Sequence, residues 1–462
     1  MAHSPGPSLQ NNLLANRLAQ PFVRFMELEI SSALLLLAMT ALALVWANSP
    51  WGETYVQFWH TPLGLRLGEF FSLELSLGHW VNDGLMAVFF FVVGMEIKRE
   101  LVLGELSSLR RATLPVAGAI GGMVVPAGIY FAMHAGQETV RGWGVPMATD
   151  ISFAVAALSL LGKRVPSGLR VFLLALAIAD DLGAVAVIAV FYTAELHLDA
   201  LALAGVGCAV CLALNLIGVR SLAVYGVVGA FIWFQTHHSG VHATVAGVML
   251  GFLTPTRADF DQRRETLIDA ARHALEELHH ALVGRGDEQP PADPAGHHRH
   301  EVVRKLEVVG RHALSPLDFL VNRLERWVAF FIMPVFALAN AGVVLEASTL
   351  GDPVARKVGL GVALGLVVGK PIGVTLVSWL AVKGGIAVMP RGVTWGSILG
   401  AGALAGIGFT VALFITVLAF LEPSHVAGSK AGILVGSLVA TVLGLGVLSR
   451  ALPKPDTPPV SG

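Results

Sequence analysis

Long apolar runs constrain this chain more than any other feature of its sequence. A transmembrane helix needs about 20 consecutive apolar residues to cross the hydrocarbon layer of a bilayer. Twelve candidate runs can be identified, which predicts an all-α polytopic membrane protein with about twelve transmembrane helices. The predicted spans lie near residues 29–48, 79–98, 113–133, 142–161, 170–192, 198–217, 221–236, 239–254, 327–346, 358–381, 395–421 and 427–449.

Charged residues are scarce, and more than a third of them are confined to one segment. Asp, Glu, Lys and Arg make up 14% of the chain, against about 25% in a typical soluble domain. Residues 256–326 contain 24 of the 63 charged side chains, so only about one position in ten is charged elsewhere. These proportions exclude a soluble enzyme, an intrinsically disordered protein and a nucleic-acid-binding protein.

The distribution of Lys and Arg between the spans predicts the orientation of the chain. An even number of spans places both termini on one side, and the shorter segments on that side carry 14 Lys and Arg residues against five on the other. Because cytoplasmic loops are enriched in these residues, both termini are predicted to be cytoplasmic. The predicted organisation is an N-terminal segment 1–28, spans one to eight in 29–254, a cytoplasmic loop 255–326, spans nine to twelve in 327–450 and a cytoplasmic tail 451–462.

The segments that connect the spans contain two further predicted features. Partial alternation of apolar and polar residues at about 61–77 predicts a small β-hairpin on the outer face. The loop 255–326 shows helical periodicity at 260–283 and carries seven of the 16 histidines. A metal site in this loop is an alternative, but a solvated His-rich linker is favoured. Cys208 and Cys211 lie in an apolar run, where two small packed side chains are favoured over a redox or metal pair.

Four ionisable residues are predicted to lie at one depth in the membrane. At 1.5 Å of rise per residue, Asp150 lies roughly 12 Å and Lys370 roughly 18 Å from the outer ends of their spans. Asp180 and Asp181 lie roughly 15 Å from the inner end of a third span, and half the hydrocarbon thickness is about 15 Å. A structural ion pair between Asp180 and Lys370 is one interpretation, but it leaves the other two carboxylates without a role. Because adjacent carboxylates repel each other, this group is suited to exchange a hard cation for protons.

Two of the predicted spans contain residues that interrupt helices. Pro146 precedes Asp150 in span four, and Gly406 and Gly408 lie near mid-depth in span eleven. Both spans are predicted to be broken there, although close helix packing is an alternative for each glycine or proline cluster alone. The two spans are the middle members of spans three to five and ten to twelve, which begin on opposite sides of the membrane. This arrangement predicts inverted repeats whose broken helices cross at the midplane, where Asp150 and Lys370 would offset the charges of the helix ends.

Several longer motifs resemble those of one known family. They occur in the expected order over about residues 22–450, apart from the loop, and their joint match is highly specific. The motifs are Trp80-Val-Asn-Asp-Gly-Leu-Met-Ala-Val-Phe-Phe, Val93-Gly-Met-Glu-Ile-Lys-Arg-Glu-Leu, Ala148-Thr-Asp-Ile-Ser-Phe-Ala, Ala175-Leu-Ala-Ile-Ala-Asp-Asp-Leu-Gly-Ala, Ser239-Gly-Val-His-Ala-Thr, Phe336-Ala-Leu-Ala-Asn-Ala-Gly-Val, Gly369-Lys-Pro-Ile-Gly and Gly406-Ile-Gly-Phe-Thr. On these residues the chain resembles the NhaA-type sodium/proton antiporters of bacterial inner membranes.

The resemblance implies roles for the residues at the midplane. Asp180 and Asp181 would bind the exchanged ions, Na⁺ being held as a substrate rather than as a resident metal. Thr149 and Asp150 would lie where the broken spans cross, and Lys370 would pair with Asp180. The outer hairpin matches a segment that the family uses to form homodimers, and no cofactor is implied.

The resemblance also implies residues that respond to pH. Glu96, Arg99 and Glu100 match such positions at the inner end of span two, and His242 matches a position with a weaker link. The alternatives are a positively charged cytoplasmic anchor for the first three and a packed polar residue for His242, and for His242 the packed residue is favoured. Residues 319–326 depart from the Glu- and His-bearing stretch that the family often has before span nine. The inner cluster linked to pH is therefore altered in this chain.

Together these features predict a secondary antiporter that exports Na⁺ and Li⁺ in exchange for external H⁺, in the service of sodium and pH homeostasis. Two carboxylates suggest two protons per sodium ion and hence an electrogenic cycle. The expected partners are these ions, membrane lipid and a second copy of the chain. A sodium-coupled symporter of a small organic anion is the alternative. An intramembrane aspartyl protease is a rival of another class, but it would leave Lys370 and the broken span eleven unexplained.

Overall fold

The computed structural model describes most of the chain between residues 29 and 453. The described residues are 29–67, 71–193, 196–217, 219, 222–256, 269, 272, 315–344 and 351–453. The predicted segment 1–28, the tail beyond residue 453 and the His-rich part of the loop lie outside these ranges, as does the predicted helix at 260–283 except for residues 269 and 272.

The described part of the chain is built almost entirely of helices, which we number in chain order together with the two strands. The elements are α1 (Glu29–Ala47), α2 (Gly52–His60), β1 (Pro62–Leu67), β2 (Phe71–Ser76), α3 (Leu77–His79, a π-helical turn Trp80–Leu85, and Met86–Val102), α4 (Leu109–His134), α5 (Ile151–Ser159), α6 (Ser167–Phe191), α7 (Leu198–Ile217), α8 (Leu222–His238), α9 (Thr244–Leu253), α10 (Pro316–Trp327, a π-helical turn Val328–Ile332, and Met333–Asn340), α11 (Pro353–Leu364, a π-helical turn Gly365–Gly369, and Lys370–Lys383), α12 (Trp395–Ala405), α13 (Phe409–Ala419) and α14 (Pro423–Ala451). Short 3₁₀ helices cover Glu105–Ser107, Glu138–Met147 and Gly162–Arg164.

Several of these helices are long and apolar enough to cross a membrane. Within the described ranges, α1, α4, α6, α7, α11 and α14 each meet this condition, and α12 and α13 meet it as a pair bent by 48°. The chain is therefore a multi-pass helical membrane protein. The other predicted spans correspond to helices that are shorter or interrupted, namely α3, α5, α8, α9 and α10. The count of twelve spans and the inverted repeats stay predictions.

Glycines allow several pairs of the described helices to touch backbone to backbone. A Cβ atom on Gly121 of α4 would collide with the carbonyl of Gly373 of α11, and the reverse also holds. Gly251 of α9 lies against the backbone of α3, and Gly359 of α11 lies against Gly432 of α14. Such close approach is how helices gain contact area in a bilayer, where the hydrophobic effect does not drive helices together.

The predicted β-hairpin is present. Strands β1 and β2 form an antiparallel pair in which Pro62 is opposite Ser76 and Leu63 is opposite Leu75. The indole Nε1 of Trp80, at the start of the π-helical turn in α3, donates a hydrogen bond of 3.0 Å to the carbonyl oxygen of Leu63. The hairpin is thereby attached to the helix that follows it.

The two cysteines are free thiols on α7. Cys211 is buried against Ile232 and Ala246, and Cys208 packs at the edge of the same apolar cluster. Within the part of the chain that the structure describes, no group of three or more His, Cys, Asp or Glu side chains is placed to hold a metal ion. This environment favours the packing interpretation of the pair.

Candidate ion-binding site

Two helices of the bundle are interrupted near the middle of their sequences. The first interruption follows the 3₁₀ helix Glu138–Met147, which contains Pro146, and residues 148–150 are extended before α5 begins. The second lies between α12 and α13, where Gly406 caps α12 and Gly408 precedes α13. We call these the first break and the second break. Each leaves backbone groups that a continuous helix would satisfy internally.

The two breaks satisfy each other's backbone groups. The backbone N–H of Asp150 donates to the carbonyl oxygen of Ile407 at 2.6 Å. The hydroxyl of Thr149 donates to the carbonyl oxygen of Ala405 at 2.8 Å. Because unpaired backbone groups are costly inside a bilayer, the contact between the breaks stabilises irregular backbone at this depth.

The Asp150 carboxylate is held at both of its oxygens. Oδ1 accepts a hydrogen bond of 3.3 Å from the backbone N–H of Phe153 and so caps α5. Oδ2 accepts one of 3.2 Å from the backbone N–H of Thr410 and another from the Thr410 hydroxyl. Asp150 therefore binds the N-terminal ends of both half-helices, α5 and α13, where a negative charge is favoured.

Lys370 forms a fully buried ion pair next to the first break. Its ammonium Nζ lies 2.6 Å from Oδ2 of Asp180 on α6 and donates to the Thr149 hydroxyl at 2.8 Å. The exposed fractions of the Lys370 and Asp180 side chains are 0% and 1%. Thr149 thus links this ion pair to the carbonyl of Ala405 at the second break.

Asp181 is the carboxylate to which this network gives neither an ion pair at hydrogen-bonding distance nor a hydrogen bond among the described residues. It is buried beside Asp180, with 4% of its surface exposed. It lies within electrostatic range of Asp180, Glu96, Asp150 and Lys370, and within the described residues its carboxylate makes no hydrogen bond. Oδ1 of Asp180 is also buried without a hydrogen-bond partner in those residues. The cluster therefore presents free carboxylate oxygens, the ligand type that hard cations prefer.

The residues that the resemblance links to pH lie at two other places. Glu96 on α3 is within electrostatic range of Asp181, of Arg99 and of Glu325 on α10. The Glu100 carboxylate accepts a hydrogen bond of 2.7 Å from the backbone N–H of Glu105 and so fixes the turn after α3. Glu96 is therefore adjacent to the candidate ion-binding cluster, whereas Glu100 contacts the connecting turn.

His242 belongs to a second ionisable cluster near the π-helical turn of α3. Its Nε2 lies 3.5 Å from Oδ1 of Asp83, and Nδ1 of His237 lies 3.6 Å from Oδ2 of the same carboxylate. The Nδ1 atom of His242 lies 2.8 Å from the Thr244 hydroxyl, and the His242 ring packs edge-on against Phe414 of α13. His242 is therefore a packed residue with an ionisable partner.

Three further residues lie near these clusters, and the sequence motifs alone assign no role to them. Thr410 ends the motif Gly406-Ile-Gly-Phe-Thr. It lies in the first turn of the helix after the second break, and the N-terminal end of a helix favours binding of a carboxylate. Asp83 also lies in a quoted motif and is ionisable within an apolar span, which is itself a signal. Glu325 gave no signal, because its approach to Glu96 depends on how α10 packs against α3.

The fold and this site define a class of protein. Irregular backbone, an ion pair and unneutralised carboxylates meet where two interrupted helices touch inside a multi-pass bundle, which is the arrangement of a secondary ion transporter. The sequence model of the family described as Na⁺/H⁺ antiporter 1 matches residues 23–448. The chain belongs to this family, whose members are transporters and not enzymes, and the resemblance seen in the sequence motifs is confirmed.

Individual relatives match over nearly the whole chain. The Na⁺/H⁺ antiporter NhaA of Rhodopirellula baltica is 48% identical over 440 residues, covering 95% of this chain and 96% of the relative. The Na⁺/H⁺ antiporter NhaA 2 of Myxococcus xanthus is 49% identical over 447 residues, covering 96% of this chain and 92% of the relative. The Na⁺/H⁺ antiporter NhaA of Oleidesulfovibrio alaskensis is 49% identical over 428 residues, covering 92% of each chain.

Proposed function

We propose that this protein exchanges Na⁺ for H⁺ at Asp180 and Asp181. The observation that carries the proposal is the charge imbalance of the buried cluster. Lys370 neutralises one carboxylate, whereas Asp181 and one oxygen of Asp180 have no partner among the described residues. A buried carboxylate is tolerated only when a cation or a proton neutralises it. Sodium ions and protons therefore compete for the same oxygens.

This competition gives a transport cycle when the site opens to each side in turn. The deprotonated carboxylates bind Na⁺ from the cytoplasm, the bundle changes its opening, and protons from outside displace the ion. Thr149 and Asp150 join the two breaks, so the site lies at the contact that such a change would alter. Lys370 would neutralise Asp180 whenever sodium is absent.

We further propose that two protons are exchanged for each sodium ion, since two carboxylates are available, and that Li⁺ is also transported. One positive charge then moves inward in each cycle. The membrane potential would contribute about 2.3 kcal/mol per charge per 100 mV to the export of sodium. Such a cycle would serve sodium and pH homeostasis.

The proposal extends to the architecture and to the pH-linked residues. We propose twelve spans that form inverted repeats in a bacterial inner membrane, with both termini in the cytoplasm and two copies joined through the hairpin at residues 62–76. Glu96, with Arg99 and Glu100 on the same helix, would set the response to cytoplasmic pH, because Glu96 lies in electrostatic range of Asp181. His242 would contribute through Asp83 and Phe414.

Two other functions fit the site less well. A sodium-coupled symporter of an organic anion needs a cationic group that is free to bind the anion, but the Lys370 ammonium is already bonded to Asp180 and Thr149. An intramembrane aspartyl protease needs two carboxylates that face one water, but both oxygens of Asp150 accept hydrogen bonds from protein groups.

Sodium-driven proton release from everted membrane vesicles tests the proposed exchange. The vesicle interior is first acidified. Adding NaCl or LiCl without any organic solute should then raise the internal pH, whereas KCl should not. Vesicles that lack the protein should not respond. A requirement for an added organic anion would favour the symporter. Clamping the membrane potential should change the rate of exchange if the cycle is electrogenic.

The pH dependence of the same assay tests the shared site. Sodium and protons compete for the same carboxylates. In the pH range where one proton competes, the apparent KM for Na⁺ should therefore rise about tenfold for each unit by which the pH falls. Activity should therefore increase from neutral to alkaline pH. An apparent KM that stays constant over two pH units would contradict the model.

A further inference from the structure

The backbone immediately before Lys370 is not a regular α-helix. In the π-helical turn Gly365–Gly369 the backbone N–H of Lys370 donates to the carbonyl oxygen of Gly365, five residues earlier. A π-helical turn contains one residue more than an α-helical turn, and successive residues of an α-helix differ in direction by about 100°. The turn therefore sets the direction in which the Lys370 side chain leaves α11.

The same turn contacts both breaks of the bundle. Gly365 leaves no room for a Cβ atom because Pro146, just before the first break, occupies that space. Leu366 is fully buried, with its carbonyl oxygen against Gly406 and its side chain against Gly408 at the second break. Gly369, at the other end of the turn, lies against Pro126 of α4.

These contacts place one short segment between the breaks and the ammonium. We infer that the turn Gly365–Gly369 positions Lys370 against Asp180, and that Leu366 is a positioning residue through which the second break acts on this ion pair. The inference rests on the proposed function, since it concerns how exchange is coupled to movement of the breaks. The titratable groups that face the ammonium are Asp180 and Asp181 of α6.

A comparison of two leucines on α11 tests the inference. Leu366→Ala should remove the contact with Gly408 and let the ammonium shift, so that Asp180 is less well neutralised. The pH profile of sodium-driven proton release should then move to higher pH, by on the order of half a unit. Leu364→Ala, in which the side chain is 42% exposed on the same helix, should leave the profile unchanged. Leu366→Met should retain most of the original profile.

A double-mutant cycle separates positioning from general packing. The pH dependence of the melting temperature is measured for Leu366→Ala, Lys370→Ala and the double variant, because this quantity needs no turnover. If Leu366 acts through Lys370, its substitution should produce no further shift once Lys370 is absent. Leu366→Val takes the place of Leu366→Ala should the latter not fold.

Two results would overturn the inference. One is a pH profile for Leu366→Ala that matches that of Leu364→Ala. The other is a double variant whose shift equals the sum of the single shifts. Failure of the proposed function would instead be seen in the unsubstituted protein, as an absence of sodium-driven proton release.

Discussion

Single residues at the centre of the bundle differ in how completely they are neutralised. Asp150 is held by Thr410 and Phe153, and Lys370 neutralises one oxygen of Asp180. Asp181 forms no hydrogen bond and no close ion pair with the residues that the structure describes, and Lys370 acts on it only at longer range. Asp150 therefore joins the two half-helices, and Asp181 is the side chain that the proposed exchange makes most dependent on a transported ion.

Asp181→Asn should abolish both exchange and sodium binding while the protein still folds. Sodium needs at least one full negative charge nearby in a dry site, and an amide supplies none. Proton release from vesicles and the melting temperature with and without Na⁺ measure the two effects. Asp199→Asn, at an exposed position on α7, is the matched control and should behave as the unsubstituted protein. Normal sodium exchange by Asp181→Asn would show the site assignment to be wrong.

Lys370→Ala should destabilise the protein and move its activity to higher pH without abolishing it. Loss of one partner of a buried ion pair costs about 3 kcal/mol or more, and Asp180 limits this cost by taking up a proton. Lys370→Arg should retain more activity, because a positive charge matters more here than the geometry of the guanidinium. Melting temperatures and pH profiles of exchange decide the outcome, with Lys383→Ala as an exposed control. Complete inactivity at every pH would contradict this expectation.

The elements of the bundle differ in how far they could be predicted from their sequences. The two breaks could be predicted because Pro146, Gly406 and Gly408 act on the backbone locally. Counting residues along each helix likewise led us to expect that the ionisable residues lie close together. The π-helical turns could not be predicted, because one extra residue in a turn leaves no compositional pattern and its place is fixed by packing against other helices. The hydrogen bond from Thr410 to Asp150 likewise depends on the contact between the two breaks.

Helix α2 shows how an element outside the spans is attached to the bundle. The Tyr55 hydroxyl lies 2.9 Å and 2.8 Å from the carbonyl oxygens of Leu338 and Ala339 at the end of α10, and it accepts a hydrogen bond of 3.3 Å from the backbone N–H of Gly342. Burial raises the pKa of Tyr55 to about 12 from its ordinary value of 10.0. The phenol therefore stays neutral in the folded protein up to strongly alkaline pH.

Tyr55→Phe should lower the stability by about 1 kcal/mol, the usual net value of a hydrogen bond, and leave exchange intact. Because the unfolded phenol ionises at lower pH than the folded one, the unsubstituted protein should also lose stability as pH rises from about 10 towards 12. This alkaline component should be absent in Tyr55→Phe. Melting curves measured across that range test it, with Trp51→Phe at an exposed position as the control. Identical alkaline losses in both variants would argue against the assignment.

At the scale of the whole molecule, the described residues on either side of the loop between spans eight and nine lie next to each other. The backbone N–H of Leu317 donates to the carbonyl oxygen of Pro255 at 3.2 Å, and Ser315 caps the first part of α10. The start of α10 is thus fixed by residues that flank the loop. Among the residues that the structure describes, the candidate ion-binding cluster is built from α6, α11 and the two breaks.

Deleting residues 259–310 should therefore preserve sodium-driven proton release. The remaining connecting residues need only join two points that are already hydrogen-bonded, so the loop is shortened without moving α10. A shift of the pH profile is compatible with this expectation, because Glu325 of α10 lies near Glu96. The assay is proton release by vesicles in which insertion of the shortened protein has been verified. Complete loss of exchange in correctly inserted protein would contradict it.

Glycine contacts hold two sets of helices together backbone to backbone, and we call these sets two pieces of the bundle. One piece joins α4 to α11 through Gly121 and Gly373, and α11 to α14 through Gly359 and Gly432; the other joins α3 to α9 through Gly251. Helices whose backbones already touch cannot slide along each other without bringing larger side chains into collision. The distance between two spectroscopic labels within one piece should therefore stay constant and serve as a reference. A pair of labels divided between the pieces would report whether the distance between them changes during exchange.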